Sequence, residues 1–136
     1  MDRQTATSIL ARLHEAQNQM YAGGDTLHVR SLLTDNVRWH VPGQNAIAGS
    51  YHGVEEVLEY FVRRRALAGN SLRLHPRELL VGDRDHLAAL TDGTATIDGL
   101  EHRWSTVGLY RICGGLIAAC WLLALDPPSF DRAWCA

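Results

Sequence analysis

From Thr5 to Tyr21 the apolar residues Ile9, Leu10, Leu13, Ala16, Met20 and Tyr21 recur at steps of three and four, which gathers them on one face of a helix. Gly23-Gly24 ends that helix, and Asp25 caps a short second one carrying Leu27, Leu32 and Leu33. Val37, Trp39 and Val41 then alternate with Arg38 and His40, the period of a strand with unlike faces, until Pro42-Gly43 stops it. Residues 44–50 read as a loop. A third helix starts after Gly53 with the stripe Val54, Val57, Leu58, Phe61 and Val62, and Gly69-Asn70 closes it. The remainder reads as a four-strand meander over residues 72–81, 86–97, 100–112 and 116–125, with turns at Gly82-Asp83, Asp98-Gly99 and Gly114-Gly115. Pro127-Pro128 breaks the pattern.

The order helix, helix, strand, helix, four strands contains no repeat and no linker, so residues 1–136 are expected to form one domain. A long sheet with helices on one face must curl around them. The fold expected is α+β: a cone-shaped, curved mixed β-sheet wrapped around three helices of the N-terminal half, a cystatin-like α+β barrel. Helices cannot fill the whole concavity, and the open end of such a cone suits a small apolar ligand.

Composition narrows the partners. A hydrophobic fraction of 46%, a charged fraction of 21% and a net charge of −2 describe an ordinary globular domain with no nucleic-acid footprint. The basic run Arg63 to Arg65 falls at a predicted helix end, where solvated cations complement the macrodipole. Cys113, Cys120 and Cys135 are odd in number and lack CxxC spacing, which argues against a disulfide framework and a structural zinc site and fits a reducing cytoplasm. The N-terminus carries no signal-peptide pattern, and the apolar run 116–125 is about half of the ~20 residues a membrane span requires.

Val37-Arg38-Trp39-His40-Val41-Pro42-Gly43, the later Gly49-Ser50-Tyr51-His52-Gly53, and Gly115-Leu116-Ile117 with Trp121 and Asp126 together resemble the SnoaL-like branch of the nuclear transport factor 2-like superfamily. The resemblance covers nearly the whole chain. It implies a homodimer packed sheet to sheet, and relatives that include ketosteroid isomerase, limonene epoxide hydrolase, polyketide cyclases and proteins that only bind ligands. At the positions matching those enzymes' catalytic groups, the chain has Val41 for a general-base aspartate, Gln17 for an oxyanion-hole tyrosine and Gly108 for a protonated aspartic acid. Leu123 replaces a final-strand aspartate, and Leu90 with Asp92 replaces an arginine–aspartate pair. Only Asp92 survives that comparison.

Two sets of residues carry candidate chemistry. On the expected parity Trp39, Val41, Trp104, Tyr110, Ile112, Trp121 and Leu123 face the concave side, either as a ligand wall for a flat apolar molecule or as core filling. Asp92 either points inward, desolvated and able to act as general acid or base, or marks a local turn with its carboxylate in water. Tyr21 and Gln17 can present polar tips toward the mouth of the cone, while His40 faces the other side of the sheet. The chain's seven histidines form no HxH or HExxH pattern, so no metal is expected, and no phosphate loop or nucleophile elbow points to a cofactor. The expected function is binding of a small apolar molecule, either with cofactor-independent acid-base isomerase, cyclase or epoxide-opening chemistry on a polyketide-, terpene- or steroid-like substrate, or as a non-catalytic ligand-binding or dimeric assembly module. Nucleic-acid and membrane partners are not expected.

Overall fold

The structure, a computed structural model, describes residues 1–135. Its elements are α1 (Arg3–Tyr21), α2 (Leu27–Arg30), β1 (Leu33–Val41), β2 (Gly49–His52), α3 (Val54–Leu67), β3 (Arg73–Val81), β4 (His86–Ile97), β5 (Leu100–Cys113), β6 (Leu116–Ala124) and α4 (Pro127–Ala133). The six strands form one curved, unclosed sheet in the order β2-β1-β6-β5-β4-β3. It is mixed, because β1 runs parallel to β6 while every other pair is antiparallel. The α+β cone expected from the sequence is therefore present.

Local chemistry sets these elements. Asp2 caps α1 by accepting from the Thr5 amide at 2.7 Å. Asp98-Gly99 and Gly114-Gly115 take positive φ at both positions, 52° and 79° then 59° and 79°, as two-residue hairpins of primed type require. Asn18 docks α1 on β3 with a reciprocal pair, its amide donating to Leu74 O at 2.9 Å and accepting from Leu74 N at 2.8 Å. Arg65 ties α3 to the end of α1 by donating to Gly24 O at 2.7 Å and Met20 O at 3.3 Å.

Three elements differ from the sequence reading. The second helix ends at Arg30, and Leu33, expected on it, opens β1. Residues 49–52, expected as loop and helix approach, pair with β1 as the edge strand β2. Its side chains are mostly exposed, so it carries no apolar alternation to read. Beyond Pro127-Pro128 the chain does not stop but enters α4, with proline at its first positions, where the missing N–H costs nothing. Phe130, Ala133 and Trp134 are buried there, and Trp134 and Phe130 meet Trp104 edge-on at 5.3 and 6.3 Å. This helix covers the open end of the cone.

Candidate functional site

Strand parity decides which side chains enter the cone. Trp39 pairs with Cys120, and Cys120 with Tyr110, all buried on the concave face. Trp39, Val41, Trp104, Tyr110 and Ile112 therefore point inward as expected. Trp121 and Leu123 do not. They register with Leu109 and Val107 on the convex face, where Trp121 stacks on His40 at 5.8 Å and Leu123 is 59% exposed. The run from Leu116 to Leu125 is apolar at every position, so alternation gave no sign of its parity.

Asp92 also lies on the convex parity, between the buried Thr91 and Gly93. Its carboxylate accepts from Ser105 Oγ at 2.6 Å and pairs with Arg77 at 2.7 Å beside an open cleft shared with His75 and Arg103. Those bonds, Ser105 first and then Arg77, hold its carboxyl below the ordinary range. It is thus an ionised surface group outside the cone, and the proton-transfer role that required an inward, desolvated Asp92 is withdrawn.

Inside, the expected roomy apolar pocket is absent. The side chains of α1, α3, α4 and the sheet leave a cavity of about 20 Å³, room for roughly one water. Two strand glycines help to keep it. A Cβ on Gly93 would lie 2.3 Å from the Trp104 indole, and one on Gly108 would lie 2.8 Å from the Tyr110 ring. Both rings therefore rest flat on bare backbone instead of standing into the centre.

The cavity's lining is unexpectedly polar. His14 and Gln17 reach it from α1, Arg64 from α3, and Thr91, Thr106 and Tyr110 from the sheet. Steps of three and four place His14, Gln17 and Tyr21 on one stripe of α1. Gln17 and Tyr21 lie deep, 1% and 0% exposed, and not at the mouth as the sequence reading had it. Arg64, expected with its neighbours as a solvated helix end, is 4% exposed. It donates through Nη2 to the Tyr21 hydroxyl, while Arg63 stays in solvent.

Three of these groups lack a partner: the indole Nε1 of Trp39, Nε of Arg64 and Oε1 of Gln17. Gln17 is near enough to influence the Tyr21 proton, yet its Oε1 meets no hydrogen-bond geometry. Buried polar atoms are ordinarily paired, so two free donors and a free acceptor around one cavity mark a place for something not of the chain.

His14 has a defined state. Its Nδ1 lies 3.0 Å from Leu10 O, and a carbonyl only accepts, so Nδ1 carries the proton and Nε2 keeps a lone pair. Burial lowers its pKa to about 4, against the opposing hydrogen bond to Leu10 and with help from the Arg64 charge. Burial likewise raises the phenols of Tyr21, Tyr60 and Tyr110 and the thiol of Cys120. At neutral pH the interior then holds one cation and no anion among the described residues. His14 and Arg64 are the two functional candidates that the sequence reading missed, although the α1 stripe contained a signal for His14. Among the described residues no three His, Cys, Asp or Glu side chains gather as a metal-binding group, and no helix is long and apolar enough to cross a membrane.

The SnoaL-like domain family matches residues 14–120 of the chain. No curated protein is similar enough to match. Among solved structures, a protein from a soil-derived mobile gene cassette superposes with TM-score 0.88 at 21% identity, covering 96% of this chain and 97% of that one. A nuclear transport factor 2-like protein of unknown function from Burkholderia pseudomallei gives 0.82 at 20% identity over 100% of both chains. TerC, crystallised with polyporic acid, gives 0.79 at 15% identity over 94% of this chain and 96% of its own. At such identities these likenesses establish the shared fold.

Proposed function

Because the chain belongs to the SnoaL-like domain family, we propose that it takes a small organic molecule into the cone and acts on it without a cofactor, with His14 as proton acceptor. The observation that carries this reading is the ring of polar groups around the interior cavity, three of them unpartnered. A cone that served only as scaffold would be filled with apolar side chains, since each orphaned polar group costs about 1–3 kcal/mol. Of the five unpartnered buried side-chain atoms among the described residues, three belong to residues that line this cavity, and the other two are Tyr60 OH and Trp134 Nε1.

The chemistry follows from the protonation states. His14 Nε2 takes a proton from a carbon beside a carbonyl, and the electron pair moves onto the carbonyl oxygen. The free indole N–H of Trp39 is a donor for that oxyanion, a kind of stabilisation worth about 3 kcal/mol per donor in established sites. A polyketide-, terpene- or steroid-like molecule needs about 300 Å³ or more, so α4 must move aside and withdraw Phe130. That helix is the lid: besides its buried side chains it is held by Asp131, which accepts from Asn45 Nδ2 at 2.7 Å and Gln44 N at 3.2 Å, and by Ala46 N bonding Trp134 O at 2.8 Å.

The test is deuterium uptake. Enolisable polyketide-, terpene- and steroid-derived ketones are incubated with the protein in D2O and followed by mass spectrometry. Uptake above buffer that disappears in His14→Leu supports the reading, whereas a panel with neither uptake nor binding removes it. In that event an assembly role takes over, favoured by the convex face. There Leu80, Ala88, Leu109 and Trp121 are registered across four strands, beside Leu90, Val107 and Leu123. Leu80, Leu109 and Leu123 are 62%, 38% and 59% exposed, an apolar surface suited to a second copy of the chain under either reading.

A further inference from the structure

Arg64 is the least expected group in the interior. Its guanidinium carbon lies 5.0 Å from the ring centre of Tyr21, 4.9 Å from that of Tyr60 and 5.8 Å from that of Phe61. One hydrogen bond joins it to Tyr21, and its Nε–H is unpaired at the cavity. The ion pairs among the described residues, Arg30–Glu55, Arg77–Asp92 and His86–Asp85, are all at the surface. A guanidinium cannot shed its proton in a protein, so a full charge sits in the core without a counterion.

Such a charge is costly unless it is paired and hydrogen-bonded. The aromatic faces offset part of the cost. They do not account for the Nε–H, which is buried without a partner on a residue that lines the cavity. A cationic residue with a free donor thus lines a space where one or two oxygen atoms fit.

On the reading that the cone is a ligand site, we propose that Arg64 is the anchor for a negatively charged head group, so that the molecule taken up is an organic acid, a carboxylate or a comparably acidic enol. The apolar remainder of that molecule lies toward Trp104 and Phe130. His14 is coupled to the same event. The titratable groups around Arg64 are His14 and Tyr21 on α1, Tyr51 on β2, Tyr60 on α3, Tyr110 on β5 and Cys120 on β6. His14 is the one among them that titrates in the acid-to-neutral range; burial is the main obstacle to its protonation, and the Arg64 charge adds a smaller part that an anion on Arg64 would offset.

The experiment uses the whole chain labelled with ¹⁵N, in chloride-free buffer, and matched pairs of aryl carboxylates and their primary amides, such as cinnamate and cinnamamide. The readouts are the Arg Nε–H resonance assigned by its loss in Arg64→Met, and affinity from tryptophan quenching. Carboxylates are expected to shift that resonance and to bind at least about ten-fold more tightly than their amides, with the preference lost in Arg64→Met. Arg64→Lys, which keeps a positive charge at the same place, retains a preference for the acids, and a cooperative urea transition of Arg64→Met shows that its loss of preference is not a folding defect. Amides binding as tightly as acids would overturn this inference and leave the ligand site standing. Failure of acids, amides and neutral ketones alike to bind would overturn both. A resonance moved by chloride but by no carboxylate would make the slot an inorganic-anion site and would likewise overturn it.

Discussion

Removing the imidazole of His14 should flatten the acid dependence of stability by a calculable amount. In the unfolded chain His14 titrates near its ordinary 6.5, whereas in the fold burial lowers it to about 4. Between those values the unfolded state binds a proton that the native state refuses. Stability is therefore fully present above about pH 6.5 and is lost as pH falls toward about 4, the sign expected for a base buried in its neutral form. Integrating that difference from about pH 7.5 to about pH 5 gives a loss of about 2 kcal/mol from this one residue. With a urea slope of about 1.5 kcal/mol/M for a domain of this size, the unfolding midpoint should fall by about 1.3 M on its account. His14→Leu removes the titration and keeps an apolar group on the buried stripe. The measurement is the midpoint at both pH values for both proteins, and the quantity of interest is the difference of differences. His40, whose pKa burial also lowers, and the surface carboxylates then cancel. Equal acid sensitivity in the two proteins would refute the assignment of His14 as a buried neutral imidazole, and with it the proton acceptor.

Further outcomes follow from the same geometry. Gly93→Ala drives a methyl into the Trp104 indole and should cost about 1–3 kcal/mol in thermal or urea unfolding, with a change in tryptophan emission as the ring is displaced. Asp92→Asn should leave deuterium uptake unchanged and alter stability by no more than about 1 kcal/mol, because the carboxylate lies in a half-exposed surface pair. Light scattering of the wild type should give twice the 15.1 kDa of the chain, and Leu109→Glu with Leu123→Glu should return it to a single copy by placing carboxylates on the convex apolar face. Asp131→Ala should raise the rate of ligand association in stopped-flow quenching, since it frees α4 from the 42–45 turn.

What was legible in the sequence depended on contrast between neighbouring positions. Val37, Trp39 and Val41 alternate with charged or polar residues, and their faces could be read. Leu116 to Leu125 has no polar residue to mark one face, so the expected pairing puts Trp121 and Leu123 inside, whereas their observed register puts them outside. Trp121 is accommodated outside because His40 and His86 flank it as stacking partners, an arrangement that needs three strands to be brought together. β2 escaped because it is short and exposed, and α4 because a proline pair stops a strand as readily as it starts a helix.

The candidate site was harder to see for a different reason. Its chemistry sits on helices at positions where the polar residue looks like an interruption: His14 and Gln17 within the apolar stripe of α1, and Arg64 in the middle of a basic triplet. A helical turn separates adjacent residues by about 100°, so Arg63, Arg64 and Arg65 cannot share a surface. One faces solvent, one holds the end of α1, and the third must follow Tyr60 and Phe61 into the core. The same arithmetic carries His14 from Leu10 toward Gln17 and Tyr21. Polar residues that fall in register with a buried stripe, on two helices that the fold then packs face to face, are therefore a better pointer to this interior than the tryptophans of the strands. The tryptophans shape the walls, and the helical polar set gives the enclosed space its charge and its proton acceptor.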